Sequence, residues 1–277
     1  AFSFTLTATE ETQKQIDDDD LKVSDALAGN EHAESKATSG KIIKDKGQTV
    51  DFSGMKFNKA GTYTFTLTEA HDADDDAAVD GVQNSGWTMD ASTYTVTVRV
   101  EDKNAKLTVT GVTVEKSGDD KRETLEVKNG KVNLATFNNT YDAKGSATLT
   151  ATKTIKVADG FDHTTKPADG EFTFDLKDAA GNVLDTAKND ANGKVSFTRE
   201  FQLSDLDGAA SKDFTYTIAE KPGTEPGMVY DTHALIYKVT VADDGTGSLT
   251  ATPQVTSGDK TFTNTYHPKE TSVTLKA

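Results

Sequence analysis

The 277-residue sequence has no cysteine, five prolines, one tryptophan and no apolar run near the ~20 residues of a membrane-spanning helix. Without cysteine, disulfides, zinc–thiolate sites, iron–sulfur clusters and thiol nucleophiles are excluded. Positive charge is also scarce, since 30 Lys and Arg face 45 Asp and Glu, a net charge of −15. Such a chain repels phosphate backbones and anionic lipid, so we expect no nucleic-acid partner and no membrane insertion. The sequence also shows no secretion signal, as expected of a mature chain, a cytosolic chain or a fragment.

What the sequence has in abundance is threonine, with 43 residues, in stretches that also carry Val, Phe and Tyr. These residue types favour a half-buried, pleated surface. Apolar and polar residues alternate with period two in many short runs, which clusters of Gly, Asp and Asn separate. Alternation of this kind predicts strands with one face turned inward, and the clusters predict turns. The sequence therefore indicates an all-β fold, with short helical pieces predicted only near residues 20–28 and 203–210.

The alternating runs occur twice in the same order, which indicates an internal repeat. The matched runs are 2–6 with 172–176, 63–69 with 214–220, 94–98 with 237–241, and 137–141 with 262–266. We predict domains at 1–141 and 142–266, with 267–277 as a linker and the start of a further repeat. A strand at 147–155 opens the second copy, but nothing matches it before the first copy. The first domain is therefore predicted to lack its first strand and to carry loop insertions at 70–80 and 115–131.

Three polar residues of the second copy, Lys153, Glu220 and Asn264, fall in the inward phase of their strands. A buried Lys or Glu is costly unless it is paired, so the three residues are expected to compensate one another. Burial lowers the pKa of a Lys and raises that of a Glu, which leaves a nucleophilic amine beside a proton-donating acid. Attack on the Asn carboxamide with loss of ammonia would give a Lys–Asn isopeptide bond. The alternatives are a Glu at the solvent rim, an Asn in a turn and a Lys turned outward by a bulge.

The motifs YTFTLTE and FTYTIAE, YTVTVRV and YKVTVAD, and ATFNNTY and TFTNTY resemble the pilin isopeptide-linkage domain of Gram-positive surface proteins. The resemblance covers nearly the whole chain in two copies. It implies two tandem immunoglobulin-like β-sandwich domains, with an isopeptide bond between Lys153 and Asn264 and Glu220 as the catalytic acid. In the first domain it matches Glu69 to the acid and Asn139 to the Asn, while the matching Lys would lie before Ala1. No pattern favours Lys14, Lys22 or Lys36 as a substitute.

This resemblance implies a structural stalk or shaft segment of a pilin or adhesin, outside the cell and attached to the cell wall. The expected partners are neighbouring domains or subunits of the same surface protein. The chain is expected not to be an enzyme beyond one autocatalytic crosslinking event, and to need no cofactor. The alternative is an adhesin module that binds a host protein or glycan through the insertions of the first domain, since loops on a rigid sandwich are common binding sites.

Two further motifs contain residue types found at metal sites or at sortase linkage sites. The acidic runs 17–20 and 72–76 carry the hard oxygen ligands that calcium prefers, but the second run departs from an EF-hand loop at Ala77 and Gln83. Runs of like charge are usually solvated loops, so we predict no metal site. The run 266–269 (YHPK) resembles the Tyr-Pro-Lys motif used by sortases, with His267 interrupting it, and a solvated linker Lys is the preferred interpretation.

Overall fold

A computed structural model of the chain describes residues 3–22, 32–36, 52, 54–70, 86–119 and 121–276. The chain divides into two compact units. Unit 1 comprises Ala1–Gln83 and Trp87–Tyr141, and unit 2 comprises Asn84–Gly86 and Asp142–Ala277. Strands dominate both units, so the prediction of an all-β protein with two tandem immunoglobulin-like units is confirmed as a fold class.

Unit 1 is built around one six-stranded sheet and two short ladders. The sheet has the order β3-β1-β5-β7-β8-β9, and the ladders are β2–β4 and β6–β10. Its elements are β1 (Ser3–Ala8), α1 (Glu10–Asp17), β2 (Leu21–Lys22), β3 (His32–Lys36), β4 (Lys56–Phe57), β5 (Gly61–Ala70), β6 (Trp87–Thr88), β7 (Thr93–Asp102), β8 (Leu107–Lys116), β9 (Arg122–Leu125) and β10 (Thr140–Tyr141).

The core of unit 1 lies on one face of this sheet, because the strands alternate between buried apolar and more exposed polar residues. Tyr63 and Phe65 of β5 are fully buried there. Partly buried residues from outside the sheet, including Ile16, Phe57 and Phe137, pack against this cluster. Thr9 caps the start of α1 through its hydroxyl, which accepts a hydrogen bond from the main-chain N–H of Thr12.

Unit 2 is a sandwich of two sheets. One has the order β14-β11-β19-β16, and the other has the order β13-β12-β15-β17-β18. Its elements are β11 (Lys144–Val157), β12 (Thr173–Lys177), β13 (Val183–Lys188), β14 (Lys194–Gln202), a 3₁₀ turn (Leu203–Leu206), β15 (Ser211–Glu220), β16 (Met228–Val229), β17 (Ala234–Asp243), β18 (Leu249–Ser257) and β19 (Thr261–Tyr266).

The first and last strands of unit 2 lie side by side. Strand β11 pairs with β14 in antiparallel fashion and with β19 in parallel, with Lys153 opposite Phe262 and Ile155 opposite Asn264. Because the pair is parallel, the start of β11 and the end of β19 lie at opposite ends of the two strands. Tension applied at these ends would load the β11–β19 pair in shear.

The strand pairings agree with two of the four matches of the predicted repeat, those of the runs 2–6 and 63–69. Phe4 lies opposite Glu69 in unit 1, as Phe174 lies opposite Glu220 in unit 2. One predicted match is shifted by two residues, since Leu67, two residues before Glu69, faces Tyr94. The equivalent position of unit 2, Ile218, faces Leu235. Tyr94 therefore corresponds to Leu235 rather than to Tyr237.

The helical predictions were only partly right. The 3₁₀ turn at Leu203–Leu206 lies within the predicted segment 203–210. The predicted helix near 20–28 is wrong at its start, because residues 21 and 22 form β2, and its remainder lies outside the described residues. The helix of unit 1 instead occupies Glu10–Asp17, which was not predicted. None of the helices in the described part of the chain has the length and apolar character needed to cross a membrane.

Candidate functional site

Lys153 enters the core of unit 2 from the middle of β11. It continues the inward alternation of Leu149, Ala151 and Ile155, all of which are buried. Its side chain has no exposed surface, and its Nζ lies 2.7 Å from Oε2 of Glu220. The same ammonium lies 4.7 Å from the centre of the Phe172 ring. The amine is therefore buried against the Phe172 ring, with the Glu220 carboxyl group as its hydrogen-bond partner.

Glu220, the last residue of β15, lies between the other two polar side chains. Its Oε2 accepts the hydrogen bond from Lys153, and its Oε1 accepts one of 2.7 Å from Nδ2 of Asn264. The Glu220 side chain is fully shielded from solvent. One carboxyl group thus contacts both the amine and the amide nitrogen, and the structure brings together the three residues predicted from the sequence.

Burial changes the protonation of the Lys153–Glu220 pair. Desolvation lowers the pKa of Lys153, although the neighbouring carboxylate favours its charged form. Desolvation also raises the pKa of Glu220, against the opposing effects of Lys153 and Asn264. Both shifts favour a neutral amine beside a neutral carboxylic acid, which are the forms that nucleophilic attack and general-acid catalysis require.

Asn264 is held from its other side by a loop residue that the sequence analysis missed. The main-chain N–H of Asp231 donates a 2.8 Å hydrogen bond to Oδ1 of Asn264. The Asp231 carboxylate in turn accepts a 2.7 Å bond from the N–H of Thr263, next to Asn264. Asp231 lies outside any strand, so period-two alternation gave no signal for it. The signal available was an Asp at the same place in both copies, since Asp90 and Asp231 each lie three residues before the strand that follows, β7 or β17.

Unit 1 repeats the arrangement around Asn139. Nδ2 of Asn139 donates a 2.6 Å hydrogen bond to Oε1 of Glu69, and the N–H of Asp90 donates a 2.7 Å bond to Oδ1 of Asn139. The Asp90 carboxylate accepts bonds from the N–H groups of Ser92 and Asn138, both 2.9 Å long. Its hydrogen bond with the Ser92 side chain and these two N–H bonds lower its pKa. The structure therefore brings Glu69 and Asn139 together as it does Glu220 and Asn264.

Sequence comparison identifies the family to which both units belong. The family of Spy0128-like isopeptide containing domains, FctA, matches residues 1–142 and 149–267, which is most of the chain. The chain belongs to this family. No curated protein matches it.

Solved structures that resemble this FctA-family chain are distant in sequence. The major pilin T-13 of Streptococcus pyogenes is 14% identical, with 95% of this chain and 89% of that chain covered and a TM-score of 0.29. A further major pilin of Streptococcus pyogenes is 16% identical, with 95% and 90% covered and a TM-score of 0.31. The TIE protein of Bacillus anthracis is 10% identical, with 86% and 48% covered and a TM-score of 0.24.

The remaining candidate sites of this FctA-family chain show ordinary surface contacts. Asp19 and Asp20 of the first acidic run pair with Lys22 and Lys59, and the run 72–76 lies outside the described residues. Among the described residues, no group of three or more His, Asp or Glu side chains could hold a metal ion. Lys269 is exposed on the linker, as expected for a solvated residue.

The two insertions proposed as a ligand surface contribute little described structure. Of the first insertion, residues 71–80 lie outside the described part of the chain. The second spans the end of β8, strand β9 and a tight turn in which Lys128 and Lys131 exchange main-chain hydrogen bonds of 2.9 Å. No contact in the described part of this segment favours ligand binding over a solvated loop.

Proposed function

We propose that this chain is a load-bearing segment of a Gram-positive pilus shaft or adhesin stalk, displayed outside the cell and attached to the cell wall. Its neighbours would be other domains or subunits of the same surface protein. The observation that carries the proposal is the position of Glu220, with one carboxyl oxygen 2.7 Å from the amine of Lys153 and the other 2.7 Å from the amide nitrogen of Asn264. Membership of the isopeptide-containing family supports it.

In the proposed reaction, Glu220 accepts a proton at one carboxyl oxygen and donates a proton from the other. Neutral Lys153 attacks Cγ of Asn264 and a C–N bond forms, while Oε2 of Glu220 accepts a proton from the attacking nitrogen. Once Cγ is tetrahedral, Nδ2 of Asn264 is a basic amine nitrogen that accepts instead of donating, and it takes the acid proton of Glu220 from Oε1. The Cγ–Nδ2 bond then breaks, and ammonia leaves. The products are a Lys153–Asn264 isopeptide bond, ammonia and a Glu220 that is again protonated, so the acid is regenerated although the reaction occurs once.

The bond would give tension a covalent path through unit 2. Lys153 lies on β11 and Asn264 on β19, the parallel neighbours whose outer ends face in opposite directions. With these residues joined, tension entering along β11 would pass directly to β19. Residues 154–263, which include most of the core, would then carry none of the load. The crosslink would also restrict the unfolded chain as a disulfide does, in a protein that has no cysteine.

Unit 1 carries a pair that matches Glu220 and Asn264. Nδ2 of Asn139 donates a 2.6 Å hydrogen bond to Oε1 of Glu69, as Nδ2 of Asn264 does to Oε1 of Glu220 at 2.7 Å. We propose that Glu69 and Asn139 are the acid and the electrophile of an equivalent bond in unit 1.

Intact mass and peptide mapping test the proposal. The wild-type chain should lack the mass of one ammonia, and a linked peptide should join Lys153 to Asn264. The Glu220→Gln variant, which keeps the shape but not the acid, should retain its full mass. Glu200→Gln, the same change on an exposed residue of β14, should crosslink as the wild type does. A full-mass wild-type chain would overturn the proposed bond.

A further inference from the structure

The orientation of the Asn264 side chain separates its two reacting atoms. Its nitrogen, the leaving group, faces Glu220 at 2.7 Å. Its oxygen, Oδ1, faces away from that acid and accepts the main-chain N–H of Asp231 at 2.8 Å. When an amine adds to Cγ, the electron pair of the C=O bond moves to Oδ1, so negative charge develops beside this N–H group. A donor placed where charge develops is the arrangement of an oxyanion hole.

The carboxylate of Asp231 fixes the position of that donor. It accepts hydrogen bonds from the N–H of Thr263 at 2.7 Å and from the N–H of His233 at 3.0 Å. The His233 ring adds a 2.7 Å contact from Nδ1, while its Nε2 faces the carbonyl oxygen of Asp259 at 2.9 Å. Two acceptors around one imidazole favour its charged form. The loop at Asp231 is thereby tied to Thr263 of strand β19 and to Asp259, just before that strand.

Unit 1 shows the same main-chain arrangement with different side chains. Asp90 donates its N–H to Oδ1 of Asn139 and accepts N–H bonds from Ser92 and Asn138. The position of His233 is taken by Ser92, so the imidazole is not required for the geometry. What the two units share is an Asp whose N–H contacts the Asn carbonyl and whose carboxylate accepts the N–H of the residue just before that Asn.

We propose that the main-chain N–H of Asp231 is the oxyanion donor of the crosslinking reaction and that the Asp231 carboxylate is its positioning group. The inference rests on the proposed Lys153–Asn264 bond. Lys153 adds to Cγ of Asn264, and the negative charge on Oδ1 is stabilised by the N–H of Asp231. The C=O bond re-forms as the Cγ–Nδ2 bond breaks, and ammonia takes its proton from Glu220. Glu220 thus transfers protons, and the N–H of Asp231 stabilises the negative charge on Oδ1 of Asn264.

Replacing the amide of Asp231 by an ester tests the donor directly. Incorporation of malic acid at position 231 during cell-free synthesis keeps the carboxylate and replaces the N–H by oxygen. Samples quenched in denaturant at timed intervals give the crosslinked fraction by intact mass, and protease resistance of parallel samples gives the folded fraction. The rate of crosslinking of the folded chain should fall by about 10²–10³-fold, the usual effect of losing one oxyanion donor. Malic acid at Asp244, an exposed turn residue, should leave the rate unchanged.

The outcomes separate this inference from the proposed function. If the wild type never loses ammonia, the proposed function fails. If the wild type crosslinks and the folded ester variant crosslinks equally fast, only the oxyanion inference is overturned. If the ester variant does not fold, Asp231→Asn decides, because it removes one of the two carboxylate oxygens that hold His233 and Thr263. A folded Asp231→Asn chain should crosslink more slowly, Asp231→Glu should recover part of the rate, and an unchanged rate in Asp231→Asn overturns the inference.

Discussion

The main-chain N–H of Lys153 donates a 2.6 Å hydrogen bond to the carbonyl oxygen of Gly193. Gly193 has a φ of 81°, in the left-handed region that favours glycine. A methyl group at this position would lie against the carbonyl oxygen of Lys153. The turn before β14 therefore approaches the backbone of Lys153 more closely than any other residue type would permit.

Gly193→Ala should consequently displace Lys153. We expect a loss of about 1–3 kcal/mol in the free energy of unfolding and slower crosslinking, because strain at a positive φ is combined with a clash at the reactive residue. Gly181→Ala is the matched control, since Gly181 has a φ of 87° and no atom within 4 Å of the added methyl. Urea unfolding and timed intact-mass measurements compare the two. Equal crosslinking rates in both variants would contradict the role assigned to this turn.

The crosslink should dominate the stability of unit 2. Closing a loop of about 110 residues stabilises a folded chain by roughly 4–5 kcal/mol through the entropy of the unfolded state. Lys153→Met combined with Glu220→Gln removes the bond without leaving a charge in the core, and should lose about that amount relative to wild type. Glu220→Gln alone should lose more, because Lys153 then stays buried without its carboxylate. Denaturant unfolding of the three chains measures both differences, and a double variant as stable as wild type would contradict the prediction.

The three residues of the candidate site could be predicted from the sequence because each lies in a strand. Period-two alternation places Lys153, Glu220 and Asn264 on the inward face, and the repeat shows that polar residues recur at two of these positions. The same periodicity explains the one incorrect match. A shift of two residues keeps every side chain on its original face. The pattern therefore cannot tell whether Tyr94 of the first copy corresponds to Tyr237 or to Leu235 of the second.

Residues outside the strands could not be assigned in this way. The contact of Asp231 with Asn264 depends on the path of a loop, and no periodicity describes a loop. Helix α1 is a different case, because its local signals were present in the sequence. Thr9 precedes Glu10 and Glu11, a capping residue followed by acidic residues in the first turn, but the segment is short and only weakly apolar.

The pair formed by Asp231 and His233 should make the stability of unit 2 dependent on pH. Burial opposes the charged forms, but hydrogen bonds raise the pKa of His233 and lower that of Asp231. Because the folded His233 has the higher pKa, its contribution is complete below its unfolded pKa of about 6.5 and is lost as the pH rises through the folded value. The contribution of Asp231 to stability is complete above its unfolded pKa of about 3.9 and is lost as the pH falls through its lowered folded pKa.

This dependence is measurable in the Glu220→Gln background, where unfolding is not limited by a covalent bond. The free energy of unfolding should decrease from about pH 6 to pH 9 as His233 loses its proton. Adding His233→Gln should remove the part of the decrease that is due to His233. Adding His163→Gln should leave that part in place and remove only the contribution of His163, whose pKa is also raised. Identical pH profiles with and without His233 would contradict the assigned contact.

The response of unit 2 to force is the property on which the proposed function depends. Without the bond, pulling on the two ends shears β11 from β19 and then releases about 110 residues, which at ~3.4 Å each extend by roughly 370 Å. With Lys153 joined to Asn264, that length stays closed and the unit should show no such step. Single-molecule pulling on the wild type and on Glu220→Gln, with Glu200→Gln as the control, distinguishes the two cases. This step of unit 2 should appear only in Glu220→Gln, in addition to any extension of unit 1 that all three chains share. Its appearance in chains whose crosslink has been verified by mass would show that the bond does not carry the load.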